Sequence, residues 1–128
     1  MKPLGRHLLV DFFDCDANAI GNLQVVKTSM LEAARRSSAT VVNTVFHELN
    51  PSGVSGVVVI AESHLAIHTW PEHRYAAVDI FTCGDVLEPK VAADYLAEML
   101  GAGRVSQVRL ERGVLSPNVE EMRDPLLS

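Results

Sequence analysis

The sequence predicts a two-layer α/β sandwich of the α+β type, in which an antiparallel sheet carries two helices packed on one face. Six segments are rich in β-branched and apolar residues and are bounded by turn-forming residues, a pattern typical of strands. Two longer segments show helical periodicity instead. The links between the middle strands are of hairpin length, which favours antiparallel neighbours. The predicted order is therefore β-α-β-β-β-β-α-β.

The first strand is predicted at residues 6–13, and Asp16 then provides an N-cap for a helix over residues 17–37. Gly21 lies inside this helix and weakens the pattern slightly, because glycine disfavours a helix interior. The apolar stripe of the helix consists of Ile20, Leu23, Met30 and Ala34.

The four middle strands are predicted at residues 40–49, 54–61, 65–70 and 76–82. An Asn-Pro-Ser-Gly turn joins the first two as a hairpin, and Pro71 ends the third. Pro89 begins a second helix over residues 89–100, Gly101 follows its end, and residues 104–111 form the last strand.

The composition is that of one domain, because 128 residues with 48% apolar content can bury one core and leave no room for a second. A net charge of -5 without a basic cluster argues against nucleic acid or an anionic membrane surface as partners. The N-terminus lacks a secretory pattern, so we expect a cytoplasmic protein. Cys15 and Cys83 are then expected to stay reduced.

The segment from Glu62 to Glu72, followed by Phe-Thr-Cys-Gly-Asp at 81–85, gathers hydroxyl, imidazole, carboxylate and thiol groups in a short stretch. Ser63 directly follows Glu62 at a predicted turn, so its Oγ could attack the preceding carbonyl and turn the amide into an ester. Removal of the Ser63 α-proton would expel the ester, leaving dehydroalanine that hydrolyses to a pyruvoyl group. The sequence thus indicates a self-processing site.

Each of these residues also has an ordinary structural interpretation. Ser63 could be a turn hydroxyl, Cys83 a small buried residue at a strand end, and Glu72 a solvated charge. Strand alternation separates two faces around His68. It places Leu65, Ile67 and Thr69 on one face, and His64, Ala66, His68 and Trp70 on the other. The second face is polar, so His68 could equally be a surface residue of a hairpin.

Together with Gly-Val-Ser-Gly at 53–56 and Gly-Arg-His-Leu at 5–8, this segment resembles the prokaryotic S-adenosylmethionine decarboxylase proenzymes. The resemblance is most specific over residues 53–85. It implies cleavage between Glu62 and Ser63 into a β chain of residues 1–62 and an α chain of residues 63–128. It also implies a pyruvoyl cofactor derived from Ser63, and a role in polyamine (spermidine) synthesis.

The resemblance further implies a role for each candidate residue. His68 would drive the elimination during processing, Ser55 would assist processing, and Cys83 would donate the proton in decarboxylation. Glu72 would contact the substrate ribose. No metal site is predicted, because His7 and His47 lie in strand-like segments without zinc-ligand spacing.

One position departs from the family pattern. The family tends to place an adenine-stacking aromatic residue three positions after the Phe of a Phe-His pair, and here Phe46-His47 is followed by Leu49 at that position. Leucine loses the stacking contribution, about 1 kcal/mol. Arginine or ornithine therefore remain alternative substrates for a pyruvoyl decarboxylase of this fold. A non-catalytic α/β interaction domain is a second alternative, and a serine hydrolase ranks last because no Gly-x-Ser-x-Gly elbow surrounds Ser63.

We also predict a homodimer with shared active sites. Ser55 and Ser63 have the same predicted strand parity, yet eight residues separate them by about 26 Å along a straight strand. If both serve processing, an antiparallel two-fold contact would bring Ser55 of one protomer, and His68 with it, to Ser63 of the other.

Overall fold

A computed structural model describes residues 3–61, 63–83 and 87–115. Within these ranges six strands and three helices follow one another. They are β1 (Pro3–Phe13), α1 (Ala17–Ile20), α2 (Leu23–Arg36), β2 (Val41–Glu48), β3 (Val54–Ile60), β4 (Ser63–Trp70), β5 (Tyr75–Cys83), α3 (Pro89–Met99) and β6 (Arg104–Val114). A short 3-10 turn, Pro71–His73, joins β4 to β5.

The strands form one sheet in the order β2-β3-β4-β5-β1-β6, and all neighbouring pairs are antiparallel. This confirms the predicted fold class and the hairpins between the middle strands. The helices cover one face of the sheet, where Met30 of α2 and Leu96 of α3 share a buried core with Phe12, Ile67 and Ile80. Burying this apolar face is what holds the two layers together.

The opposite face of the sheet is called the open face below. β4 shows the division, because Leu65, Ile67 and Thr69 are buried whereas His68 and Trp70 are exposed. The predicted strand parity of β4 is therefore confirmed. No helix among the described residues is both long and apolar enough to cross a membrane.

The single helix predicted over residues 17–37 is wrong, since the segment forms two helices. Asp16 caps α1, accepting hydrogen bonds from the amides of Asn18 and Ala19 at 2.9 and 3.2 Å. α1 ends at Gly21, and the Asn22 side chain then caps α2 by accepting from the amide of Val25 at 3.0 Å. A second cap about one and a half turns into the predicted helix competes with the continuous helix, and the glycine before it lowers the cost of the break.

Candidate active site

The hairpin of β3 and β4 places Ser63 at the end of the sheet. Ile60 and Ser63 form the last pair of this hairpin, so only two residues connect the strands. Glu62, the acyl side of the predicted cleavage site, lies outside the described residues. Such a short connection constrains the backbone tightly around Ser63.

Cys83 lies beside Ser63, at the end of β5. The distance from Ser63 Oγ to Cys83 Sγ is 3.8 Å, within hydrogen-bond range for sulfur, and both residues are partly buried. This is called the Ser63–Cys83 pair below. The antiparallel pairing of β4 with β5 brings together two predicted site residues that are 20 positions apart in the sequence.

A small cavity of about 130 Å³ opens next to this pair. Its walls come from the end of β3, the segment before β2 and the segment before α3. Ser38 and Thr40 line it in addition to Ser63 and the buried Thr82, so four residues with hydroxyl groups border the cavity. The lining residues are Ser38, Ala39, Thr40, Ile60, Ala61, Ser63, Thr82, Cys83 and Leu87. A small ligand group bonded to Ser63 has room here.

Ser55 and His68 form a second pair on the open face, at the other end of the same hairpin. They lie directly opposite each other in β3 and β4, and Ser55 Oγ is 2.8 Å from His68 Nδ1. This is called the Ser55–His68 pair below. The predicted association of Ser55 with His68 therefore holds within one chain.

The predicted shared parity of Ser55 and Ser63 is wrong. Ser55 lies on the open face, whereas Ser63 pairs with buried Ile60 and continues the alternation of Leu65 on the helix-covered side. The prediction treated both residues as parts of one straight strand, but the hairpin turn between them changes the alternation. Five residues of β4 at about 3.4 Å each place His68 about 17 Å from Ser63 along the strand.

Glu72 and Leu49, the predicted substrate-binding residues, lie at the same end of the sheet as the Ser55–His68 pair. Glu72 is in the 3-10 turn after β4, and Ser52 Oγ donates a 2.8 Å hydrogen bond to its carboxylate. A backbone hydrogen bond and the Ser52 hydroxyl lower the pKa of Glu72. Leu49 is in the β2–β3 turn beside Ser52 and is exposed. The structure thus separates the predicted site residues into two groups.

Residues that the sequence did not predict as site residues lie near Cys83 on the open face. The ring of Phe81 stacks on His64 at 5.7 Å between centroids and meets His7 edge-on at 5.4 Å. Arg112 approaches His7 Nδ1 at 3.4 Å, and His7 Nε2 is buried without a hydrogen-bond partner among the described residues. His7 and Arg112 arrive through the pairing of β1 with β5 and β6, for which local sequence offers no signal.

A cluster of aromatic residues that the sequence did not predict as site residues lies near the Ser55–His68 pair. Tyr75 stacks between Phe13 and Trp70, with centroids 5.4 and 5.2 Å away, and its hydroxyl donates to Asp11 at 2.5 Å. Burial and the hydrogen bond to Asp11 raise the pKa of Tyr75 to about 12. Trp70 in turn lies 6.4 Å from the His68 ring. The aromatic residues hold this end of the open face in one arrangement.

These features define an α/β sandwich domain whose hydroxyl, thiol and imidazole groups gather at the two ends of one hairpin. A family model described as S-adenosylmethionine decarboxylase matches residues 6–113. The chain belongs to this family of enzymes, which confirms the resemblance seen in the sequence.

Individual relatives agree with the family match. S-adenosylmethionine decarboxylase proenzymes from Acidithiobacillus ferrooxidans and Thermotoga maritima are each 52% identical over 113 residues, which is 88% of this chain and 85% and 87% of those proteins. The crystal structure of the adenosylmethionine decarboxylase from Aquifex aeolicus VF5 is similar, with a TM-score of 0.85 and 35% identity. The match covers 91% of this chain and 97% of the Aquifex aeolicus chain.

Proposed function

We propose that this chain is a self-processing, pyruvoyl-dependent decarboxylase that converts S-adenosylmethionine to decarboxylated S-adenosylmethionine and carbon dioxide for polyamine synthesis. The observation that supports it most is the 3.8 Å approach of Ser63 Oγ to Cys83 Sγ beside a two-residue hairpin connection. The relatives' description as proenzymes fits a chain that must be processed before it acts.

The residues present fit a pyruvoyl group derived from Ser63. The group would replace a side chain that already faces a cavity of about 130 Å³, with the Cys83 thiol within reach. When present, the group supplies a carbonyl that takes up the substrate amine and accepts the electrons released as carbon dioxide leaves. In processing, Ser63 Oγ would attack the carbonyl of the preceding residue and displace the Ser63 nitrogen, which forms an ester and a free amine. Removal of the Ser63 α-proton would then break the Cβ–Oγ bond, so that Oγ leaves as part of the carboxylate of the preceding chain. The dehydroalanine that remains would take up water and release ammonia to give the pyruvoyl group.

Cys83 is suited to donate the proton at the substrate α-carbon. Its thiol lies at the end of β5 on the open face, close to the Ser63 side chain but offset to one side of it. A positioned general acid accelerates such a step by about 10²–10⁴-fold. Glu72 would bind the ribose hydroxyls, since its lowered pKa keeps the carboxylate ionised as an acceptor.

The active site is proposed to be shared between two protomers of a homodimer. The cavity of about 130 Å³ is smaller than the roughly 300–1,000 Å³ that ligand pockets usually provide, which supports a site that a second surface completes. The Ser55–His68 pair lies about 17 Å from Ser63 along β4, and Glu72 lies farther away, in the turn beyond the end of that strand, so neither can reach Ser63 of its own chain. A two-fold contact through the open face would let them complete the partner's site.

Intact mass measurement of the purified protein tests the processing. We expect two chains of 62 and 66 residues, since cleavage after residue 62 of 128 leaves 128 − 62 = 66. The Ser63→Ala control should remain one chain. A wild-type protein that stays a single 128-residue chain after long incubation would contradict the pyruvoyl proposal and favour a non-catalytic domain.

Carbon dioxide release from a substrate panel tests the reaction. We expect release from S-adenosylmethionine and none from arginine or ornithine. The reverse outcome would reject the substrate assignment and leave the pyruvoyl cofactor in place, with exposed Leu49 as the first residue to examine.

Co-expression of the Ser63→Ala and His68→Ala chains tests the shared site. In a heterodimer, one site combines Ser63 of the His68→Ala chain with His68 of the Ser63→Ala chain, so the His68→Ala chain should regain cleavage. Verified heterodimers without any rescued cleavage would show that each protomer builds its own site.

A further inference from the structure

The last strand, β6, forms one edge of the sheet and is exposed along its whole length. All eleven of its residues are exposed, including Val105, Val108, Leu110 and Val114. Among the described residues β6 has a strand neighbour on one side only, which is β1. Its other side presents backbone amide and carbonyl groups in a row, which is a template for pairing with another strand.

The two edges of the sheet differ. β2, at the opposite edge, has eight residues and a register shift between Val41 and Asn43, an irregularity that hinders strand addition. β6 has eleven residues, and its register with β1 is unbroken from Phe13 to Gly5. β6 contains no proline, and its four charged residues, Arg104, Arg109, Glu111 and Arg112, include both signs, so a partner of complementary charge can still pair with this edge. β6 is therefore the edge that is suited to strand pairing.

We propose that β6 pairs antiparallel with β6 of a second copy of this chain, around a two-fold axis at Leu110. A two-fold axis perpendicular to the sheet leaves the helices of both copies on the same side of the joined sheet. Each β6 residue therefore lies opposite a residue whose side chain points to the same face. With the axis at Leu110, Arg109 of each copy lies opposite Glu111 of the other. The two leucines meet on the open face, and Val108 lies opposite Arg112.

Neighbouring registers are disfavoured by charge. An axis at Arg109 would place two arginines directly opposite each other, and an axis at Glu111 would do the same with two glutamates, which is destabilising across strands. Arg104 and Arg112 lie over the rings of Phe13 and Phe81, on the open face. Arg109 and Glu111 are thus the charged residues of β6 on the helix-covered side. Their pairing decides which register the two β6 strands adopt.

The surroundings of Arg109 favour an incoming carboxylate. Arg109 lines one recess together with Arg6 and Lys90, and the acidic side chain in that recess is Glu88. Lys90 already pairs with Asp94 at 2.7 Å. Within one chain Glu111 lies opposite Arg6 in β1. Glu111 of a second copy would add a negative charge opposite Arg109, and it would do so twice in each two-fold contact.

Charge reversal in the full chain tests this contact, with mass measured by analytical ultracentrifugation across a range of concentrations. Arg109→Glu and Glu111→Arg should each raise the dissociation constant of the β6 contact roughly tenfold, because two attractive pairs become repulsive. The double variant R109E/E111R should restore association to about the wild-type level, and so should a mixture of the two single variants. Gln107→Glu is a matched control on the same strand and side, because it lies opposite Gly113 in this register.

The outcome is independent of the proposed shared site. If both contacts form, the wild type passes from two to four copies as its concentration rises, and the single variants do so at about tenfold higher concentration; if only the β6 contact forms, the same shift separates one copy from two. Cleavage before Ser63 should be unchanged in every variant. Equal masses for the wild type and both single variants, or a double variant no better than either, would overturn the proposal. So would hydrogen exchange showing equal protection of the β6 amides in variant and wild type, since the edge would then be covered within one chain.

Discussion

Replacing Cys83 by alanine separates the two reactions proposed for this protein. The thiol is assigned to decarboxylation and not to processing, so Cys83→Ala should still be cleaved before Ser63 while losing most of its turnover. Loss of a positioned general acid costs about 10²–10⁴-fold in rate, equivalent to roughly 3–5 kcal/mol in the activation free energy.

The structure indicates that this loss would not reflect unfolding. Cys83 is only partly buried at the end of β5, and its one described side-chain contact is the 3.8 Å approach to Ser63 Oγ. We therefore expect the free energy of unfolding to change by about 1 kcal/mol or less, which lowers Tm by a few degrees. A rate loss of 10²-fold or more in a folded, processed protein then belongs to the chemistry.

The matched control is Cys15→Ala, which removes the other cysteine. Cys15 is fully buried, its thiol donates to the Phe12 carbonyl at 3.5 Å, and burial raises the pKa of the thiol. A buried, protonated thiol away from the site should not affect turnover. The assay is single-turnover release of labelled carbon dioxide, with the processed fraction measured by intact mass. Cys83→Ala that turns over at the wild-type rate would remove Cys83 from the mechanism.

Three further predictions concern side-chain packing, alkaline stability and substrate binding. Gly56→Ala would place Cβ against the ring of Phe46, closer than two carbon atoms can approach, so we expect the free energy of unfolding in urea to fall by about 1–3 kcal/mol; an unchanged midpoint would refute this packing. Tyr75→Phe should cost about 1 kcal/mol at pH 7 through the lost bond to Asp11. Because folding raises the pKa of Tyr75 to about 12, its contribution is complete below pH 10 and is lost between about pH 10 and 12, so the variant should show a flatter alkaline profile. Leu49→Phe should lower KM for S-adenosylmethionine about fivefold, through a stacking contribution of about 1 kcal/mol, with kcat little changed.

Local sequence was enough to predict the strands and the hairpins between them. Alternation of apolar residues and the turn residues at 50–53 and Pro71 are properties of neighbouring positions, and the observed strands β2 to β5 follow them. The same reasoning failed for residues 17–37, because the Asn22 cap and Gly21 act together to end one helix and begin another. Periodicity alone does not show that competition.

The Glu62–Ser63 step and its turn could also be recognised from sequence, because the chemistry of an acyl shift needs only adjacent residues. The partners of Ser63 could not be derived in that way. Strand register decides that Ser55 meets His68, and the pairing of β4 with β5 decides that Ser63 meets Cys83. His7 and Arg112 come to the same region only through the pairs that β1 makes with β5 and β6. These contacts join residues up to 105 positions apart, and only the burial of the whole sheet against the helices fixes which strands become neighbours.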